Sequence, residues 1–396
     1  MKAPEVKAVP VPVNLGQVFA ALAAEKQLML DTWQDLVNSD CGSRNKAGVD
    51  ACGRRVQVFL ESLGFRVRFH EYEKAGNFLV AERGDTSKPF VALLGHLDTV
   101  FPDGEAAARP FTVRDGRVAG PGALDMKGGV TVMLYALKEL IEAGWNRLPV
   151  KVLLPGDEEV GHGSSGAAED LVREAKGALC GFNLETSYPD NSVVVERKGA
   201  AFFRLEVKGI GAHAGNNPQD GRSAIVELAS KILKISALTD WGKGTTLNPG
   251  MVGGGTAANA IAEKAWCVID VRYRTEAEFE RVESALRDIA TSSLVPDTHG
   301  SLTLTCRLAA MERTAGSEAL FEKINAIAQR HGFPAMLAKA VGGGSDSAYL
   351  VKAGVPVVCA LGVKGEFNHT VREYALESSL LERARLLAAI LCEIEI

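Results

Sequence analysis

The sequence predicts an α/β protein of two domains, with the second inserted into the first. Short uninterrupted apolar runs, amphipathic helices between them and a central stretch of different pattern carry that prediction. The runs Phe90 to Leu94, Val150 to Leu154 and Val355 to Leu361 have the length and β-rich composition of strands buried on both faces of a mainly parallel sheet. Between them, the stretch Gly129 to Ala143 places Val130, Met133, Leu134, Leu137, Leu140 and Ile141 on one helical face, the three- and four-residue spacing of an amphipathic helix. In the centre, Phe203, Leu205 and Val207 alternate with polar neighbours, and Ile225, Leu228, Ile232 and Leu233 then make a helix. Two strand-like runs follow near 245–252 and 264–274. A second helix carries Phe279, Val282, Leu286 and Ile289, and a last strand alternates Leu302, Leu304, Cys306 and Leu308. This βαββαβ order is that of a ferredoxin-like unit, of a size able to stand as an insert. Helix and strand alternation resumes from Ser317. The expected organisation is a discontinuous α/β domain, 1–197 plus 312–396, with a mainly parallel mixed sheet flanked by helices, interrupted by the unit 198–311. The length of 396 residues suits two domains at roughly 150 residues each.

Composition removes several function classes. Hydrophobic residues make up 46% and charged residues 23%, which argues against a disordered, collagenous or membrane-spanning chain. The net charge is 44 − 49 = −5 and there is no basic run, so the counter-charge that nucleic acid demands is missing. No stretch approaches the roughly 20 apolar residues of a membrane span, and the N-terminal stretch lacks a clean signal-peptide core. Seven cysteines without a CxxC pair point to neither a disulfide framework nor a structural zinc finger, and favour the reducing cytoplasm. The deviation is glycine, 41 residues or about 10% against an average near 7%.

The chemistry-bearing residues stand where strands end. In Leu93-Leu94-Gly95-His96-Leu97-Asp98-Thr99, His and Asp sit two apart, on one face if the strand continues. Ligands in α/β sheets bind beyond the carboxyl ends of strands. The pair reads either as a structural His with a helix-capping Asp, or as a metal-binding His96 with Asp98 as another ligand or as the carboxylate that orients the imidazole. Asp125 lies in the turn Gly120-Pro121-Gly122-Ala123-Leu124-Asp125-Met126-Lys127-Gly128-Gly129, before the strongest helix, where an acid either caps the helix or faces a site. Asp157, Glu158 and Glu159 follow a buried strand. Three adjacent like charges normally lie on a solvated face, but at a strand end they suit a cation. Glu185 in Asn183-Leu184-Glu185-Thr186-Ser187 and His369 in Glu366-Phe367-Asn368-His369-Thr370 also follow strand-like runs. Together these residues offer the nitrogen and oxygen donors that suit zinc or a related divalent ion.

The order GHLDT, GALDMKGG, GDEEVG, NLETS and EFNHT resembles the dinuclear zinc peptidase family of glutamate carboxypeptidases, aminoacylases, acetylornithine deacetylases and succinyl-diaminopimelate desuccinylases. The resemblance spans nearly the whole chain, and GHLDTVFPDG with the turn around Asp125 is most similar to the glutamate carboxypeptidase branch. It implies two zinc ions, with cobalt or manganese able to take their place: His96 and Glu185 hold one, Glu159 and His369 the other, and Asp125 bridges them. Glu158 is then the general base for the metal-bridging water, Asp98 orients His96, and the peptide bond from Asp125 to Met126 is cis. The insert becomes a lid that joins two subunits into a homodimer. On it, His213 in Gly211-Ala212-His213-Ala214-Gly215 would reach a neighbouring active site and stabilise the oxyanion, although a lone exposed His is more often inert.

Asn259 and Arg272 resemble residues that grip the substrate's free carboxylate. Arg272 is apt because its planar fork matches a carboxylate, although it can equally be a surface Arg paired with an acid. Gly343 and Gly344 would let the backbone approach the substrate closely. The glycine runs GGGT and GGGSDS lack the Lys-Ser/Thr ending of a phosphate-binding loop. His162 falls outside the resembling ligand positions and reads as a loop residue.

The expected function is zinc-dependent hydrolysis of the amide bond of a small peptide or N-acyl amino acid with a free carboxylate. An N-acyl-amino-acid deacylase or desuccinylase is the alternative within the enzyme class. A catalytically inactive protein that binds amino-acid derivatives is the alternative outside it. Nucleic acid and membrane are not expected partners.

Overall fold

The structure is a computed structural model and describes residues 13–395. The chain forms two compact units. The larger takes the chain up to Val195, Arg313–Ala340 and the chain from Tyr349 onward; the smaller takes Glu196–Glu312 and Val341–Ala348. That last segment, assigned to the outer domain from sequence, groups with the smaller unit for a local reason. The Val341 carbonyl accepts from the Lys198 N–H at 3.1 Å, and the Arg197 guanidinium reaches the carbonyls of Gly343 and Gly344 at 3.4 and 3.1 Å.

The larger unit is built on a six-stranded mixed sheet. Its order is Arg66–His70, Gly76–Arg83, Val150–Gly156, Phe90–Leu94, Ala178–Asn183 and Val357–Val358. The last four run parallel to one another and the first two are antiparallel. All residues of Phe90–Leu94 and Val150–Gly156 are buried, which is why their sequence is mainly apolar without alternation; Lys151 is the exception, buried with its ammonium on Glu174. Parallel pairing also sets three carboxyl ends side by side. His96, the acids from Asp157 to Glu159, and Glu185 follow those ends directly.

Two further devices complete the arrangement. Helix Gly128–Glu142 begins against the end of strand Ala178–Asn183, and a Cβ on Gly129 would stand 1.8 Å from the Leu184 carbonyl oxygen, so only glycine permits that approach. The turn before this helix is held by the Trp33 indole N–H on the Ala123 carbonyl at 3.0 Å, and it contains a cis peptide bond between Asp125 and Met126. A small sheet then pairs Tyr374–Leu376 with both Gly365–Glu366 and Arg117–Ala119. It carries the loop of His369 to the turn of Asp125, although the two are far apart in sequence.

The smaller unit contains a four-stranded antiparallel sheet in the order Thr246–Gly254, Lys264–Tyr273, Gly199–Lys208, His299–Leu308. Along Lys264–Tyr273, Ala265, Cys267, Ile269, Val271 and Tyr273 are buried and alternate with less buried neighbours, the period of a sheet with one covered face. Helices Ala224–Ser236 and Glu276–Thr291 supply Leu228, Ile235, Phe279, Val282 and Leu286 to that core. Each helix is capped by a side-chain oxygen, Ser223 and Thr275 respectively. Inside the unit, Glu227 and Lys231 form an ion pair of 3.0 Å. Glu227 also accepts the N–H groups of Leu294 and Val295 at 2.7 Å, so a charge pair that sequence leaves unnoticed closes the end of the second helix. No helix among the described residues is long and apolar enough to cross a membrane.

Candidate metal centre

Seven of the expected site residues lie together in the larger unit, at the strand ends that its parallel sheet aligns. Asp125 stands at the middle. Its Oδ1 lies 3.3 Å from His96 Nε2 and its Oδ2 lies 3.1 Å from His369 Nε2, so its two oxygens face two different imidazoles. Glu185 lies 3.6 Å from His96 Nε2 on one side, and Glu159 lies 3.0 Å from His369 Nε2 on the other. The Glu158 carboxylate is within 4.8 Å of the donor atoms of His96 and Glu185. His96, Asp125, Glu159 and Glu185 have almost wholly buried side chains, whereas the His369 side chain is 51% exposed.

The donors fit divalent ions. Ligand atoms about 2.1 Å from a tetrahedral ion stand roughly 3.4 Å apart, and the imidazole–carboxylate separations here run from 3.0 to 3.6 Å. Glu159 Oε1 is buried without a hydrogen-bond partner, a lone-pair donor that a cation would satisfy. The imidazoles register the same negative field. Hydrogen bonds to Asp125 and Glu159 push His369 up to about 11 against its burial. Burial works against a charged His96, yet Asp125 and Asp98 still raise it well above the ordinary histidine range. Burial and the Asp125 charge push Glu159 up to about 7. Protons on those imidazoles neutralise the acids, and a bound metal would displace them.

Asp98 contacts more than an imidazole. His96 Nδ1 lies 3.1 Å from the Asp98 backbone carbonyl and 3.4 Å from its Oδ1. The same carboxylate accepts the backbone N–H groups of Glu158 at 3.1 Å and Glu159 at 3.2 Å, and the Ser43 hydroxyl at 2.6 Å. Burial would raise its carboxyl, but His96 and these donors hold it below the usual carboxylate range. One buried side chain thereby ties together the His96 strand end, the acidic turn and the loop at Ser43.

Two participants were missed from sequence. Asn368 donates to Asp125 Oδ2 at 2.9 Å. Glu373 Oε1 accepts the backbone N–H of Leu124 at 2.8 Å and of Asp125 at 3.3 Å, and burial with the Asp125 charge pushes its carboxyl up to about 8. Asn368 had a signal in its place beside His369; Glu373 had only its distance from that motif. His162 lies in a loop, as its sequence position suggests, and is buried there, with Nδ1 2.7 Å from Asp157 Oδ1 and its ring against Tyr349.

The remaining site residues lie in the smaller unit. His213 and Asn259 line one cavity of about 680 Å³. His213 Nδ1 accepts the N–H groups of Gly215 and Asn216, both at 3.1 Å, which leaves the ring proton on Nε2, a donor free for a ligand. Arg272 is outside that cavity's lining and pairs with Asp270 at 2.8 and 3.1 Å. A Cβ on Gly343 would meet nothing closer than Arg197 at 3.9 Å, so packing within the chain does not require glycine there.

A mixed α/β sheet with imidazoles and carboxylates gathered at its parallel strand ends defines a metallo-hydrolase. The chain belongs to peptidase family M20/M25/M40, whose profile matches residues 92–393. It is 29% identical over 376 residues to carboxypeptidase G2 of Pseudomonas sp., covering 94% of this chain and 90% of that one. It is 28% identical over 352 residues to the succinyl-diaminopimelate desuccinylase of Gluconacetobacter diazotrophicus, covering 84% of this chain and 89% of that one. Among solved structures, the aminopeptidase PepT of Bacillus cereus superposes with a TM-score of 0.76 at 22% identity, covering 93% of this chain and 98% of that one.

Proposed function

We propose that this chain hydrolyses the amide bond of a small peptide or N-acyl amino acid with a free carboxylate, in the manner of a glutamate carboxypeptidase, using two zinc ions. The observation that carries this reading is the placement of the two Asp125 oxygens toward opposite imidazoles, each beside a further glutamate. His96 and Glu185 would hold one ion, His369 and Glu159 the other, with Asp125 shared. The ions would acidify water and polarise the scissile carbonyl. Glu158 takes the proton from the attacking water and passes it to the leaving amine. Asp98 keeps His96 in one tautomer through its hold on Nδ1. His213 reaches the active site of a neighbouring subunit and serves the oxyanion there through Nε2–H. Asn259 and Arg272, with the backbone at Gly343 and Gly344, receive the free carboxylate, Arg272 exchanging its Asp270 partner for the substrate. A homodimer formed through the smaller unit and a cytoplasmic setting belong to the same reading.

A second reading, an N-acyl-amino-acid deacylase or desuccinylase, draws on the desuccinylase relative and uses the same residues around the metals. The test is an assay of protein reconstituted with zinc, cobalt or manganese against folate-type amides, dipeptides and N-acyl amino acids. Hydrolysis that a chelator abolishes and metal restores is expected, and the preferred substrate class separates the two readings. Measurable ligand affinity without hydrolysis in any metal form would make the chain a binding protein instead.

A further inference from the structure

We propose that Glu373 is a positioning residue of the metal centre, which by fixing the turn of Asp125 sets the affinity of the ion assigned to His369 and Glu159; this rests on the two-ion reading above and deepens it. Glu373 is 2% exposed. Its Oε1 accepts the backbone N–H groups of Leu124 at 2.8 Å and Asp125 at 3.3 Å, while Oε2 is buried without a hydrogen-bond partner. No basic side chain pairs with it among the described residues, and the charges that act on it are those of Asp125 and Glu159, both acids. Burying an acid among acids is unfavourable. What this carboxyl holds in exchange is the backbone of the one ligand that both ions would share.

The place of Glu373 in the chain gives that hold its effect. His369 lies on the same loop, between the strands Gly365–Glu366 and Tyr374–Leu376. Phe367 and His369 adopt φ of 65° and 62° there, a left-handed backbone that residues with a Cβ keep only where their surroundings impose it. Within the loop, the Phe367 carbonyl accepts from the Thr370 hydroxyl at 2.7 Å and from the Thr370 N–H at 3.2 Å, and the Thr370 carbonyl accepts from the Glu373 N–H at 3.0 Å. These bonds shape the loop without fastening it to the Asp125 turn. Two side chains do that. Asn368 donates to Asp125 Oδ2 at 2.9 Å, the oxygen that faces His369, whereas Glu373 holds the backbone behind Asp125 and leaves both of its oxygens to the ions. The other ion depends less on this loop, because His96 and Glu185 follow the strands Phe90–Leu94 and Ala178–Asn183 directly and Asp98 fixes His96 through Nδ1.

Calorimetric titration of the metal-free, full-length protein with zinc tests the assignment on wild type, Glu373→Gln and Glu373→Leu. Glutamine keeps an acceptor oxygen for the two N–H groups and removes the charge; leucine keeps much of the bulk and removes the acceptor. Wild type is expected to bind two ions. Glu373→Leu should weaken one of them by about 10- to 100-fold, the range found for groups that orient metal ligands from behind, and leave the other close to wild type. Glu373→Gln should stay close to wild type at both. Anomalous diffraction at the zinc edge, from Glu373→Leu crystals at sub-saturating zinc, should place the loss at the peak between Glu159 and His369. A loss in Glu373→Gln as large as in Glu373→Leu would make charge the contribution instead of position. Equal weakening of both ions would mark a general loosening. Either result, or a Glu373→Leu that binds zinc as wild type does, overturns the proposal. Should Glu373→Leu not fold, Glu373→Met, whose flexible chain fits irregular space, takes its place with the same outcomes. A wild type that binds one ion or none overturns the two-ion reading, and hydrogen exchange then decides Glu373. Faster exchange of the Leu124 and Asp125 amides in Glu373→Leu than in wild type and Glu373→Gln supports its hold on the turn, and equal protection overturns it.

Discussion

Glu158→Gln is expected to lower turnover by about a thousandfold with the metal content unchanged, measured by steady-state kinetics and elemental analysis on the same preparation. A positioned general base contributes typically 10²- to 10⁴-fold, and glutamine keeps the shape while losing the ability to take a proton. The paired measurement matters because Glu158 lies within 4.8 Å of the donor atoms of His96 and Glu185, close enough to serve as a ligand. If the substitution removed an equivalent of metal, Glu158 would be a ligand and not the base. If turnover were unchanged, the base would lie elsewhere.

Replacing both imidazoles has the second large effect. His96→Ala combined with His369→Ala is expected to take the chain from about two zinc ions to none and to eliminate turnover. The carboxylates alone are a poor substitute, because Asp125, Glu159 and Glu185 would be left as buried acids without the nitrogen donors that zinc prefers. Bound metal stabilises the folded state by mass action. Zinc is therefore expected to raise the melting temperature of wild type and to leave that of the double variant unchanged. A double variant that still bound two equivalents would place the ions at other residues.

Much of this site is legible in sequence because parallel strands buried on both faces write themselves as mainly apolar runs without alternation, and their ends are easy to locate. His96, Glu158, Glu159 and Glu185 follow such ends. Asp125 and His369 are harder, because the small sheet that joins them pairs Tyr374–Leu376 with Arg117–Ala119, short segments without a periodic signal. Glu373 was invisible for the same reason: its partners are the backbone N–H groups of Leu124 and Asp125, which no residue type reveals. The additional hold of Asp98 on the turn of Glu158 and Glu159 is likewise a side-chain-to-backbone matter. The edge strand Arg66–His70 is hard to read because none of its residues is fully buried and its arginines alternate with Val67 and Phe69; Gly76–Arg83, its inner neighbour, is mostly buried.

Glycine usage was informative at some positions and not at others. Gly120, Gly122 and Gly161 adopt φ of 146°, 70° and 65°, so the turns beside Asp125 and the acids need residues without a Cβ. Gly343 and Gly344 do not share that conformation, and their carbonyls accept from Arg197. The close approach expected of them depends on a substrate. Arg272 shows a related limit: its residue type suits a carboxylate, and in this chain the carboxylate it meets is Asp270.

The central claim is a pair of metal ions sharing Asp125. Diffraction from zinc-loaded crystals, recorded on both sides of the zinc absorption edge, tests it most directly. Two anomalous peaks are expected, one between His96 and Glu185 and one between Glu159 and His369, with an Asp125 oxygen facing each. A single peak, or peaks away from these residues, would contradict it.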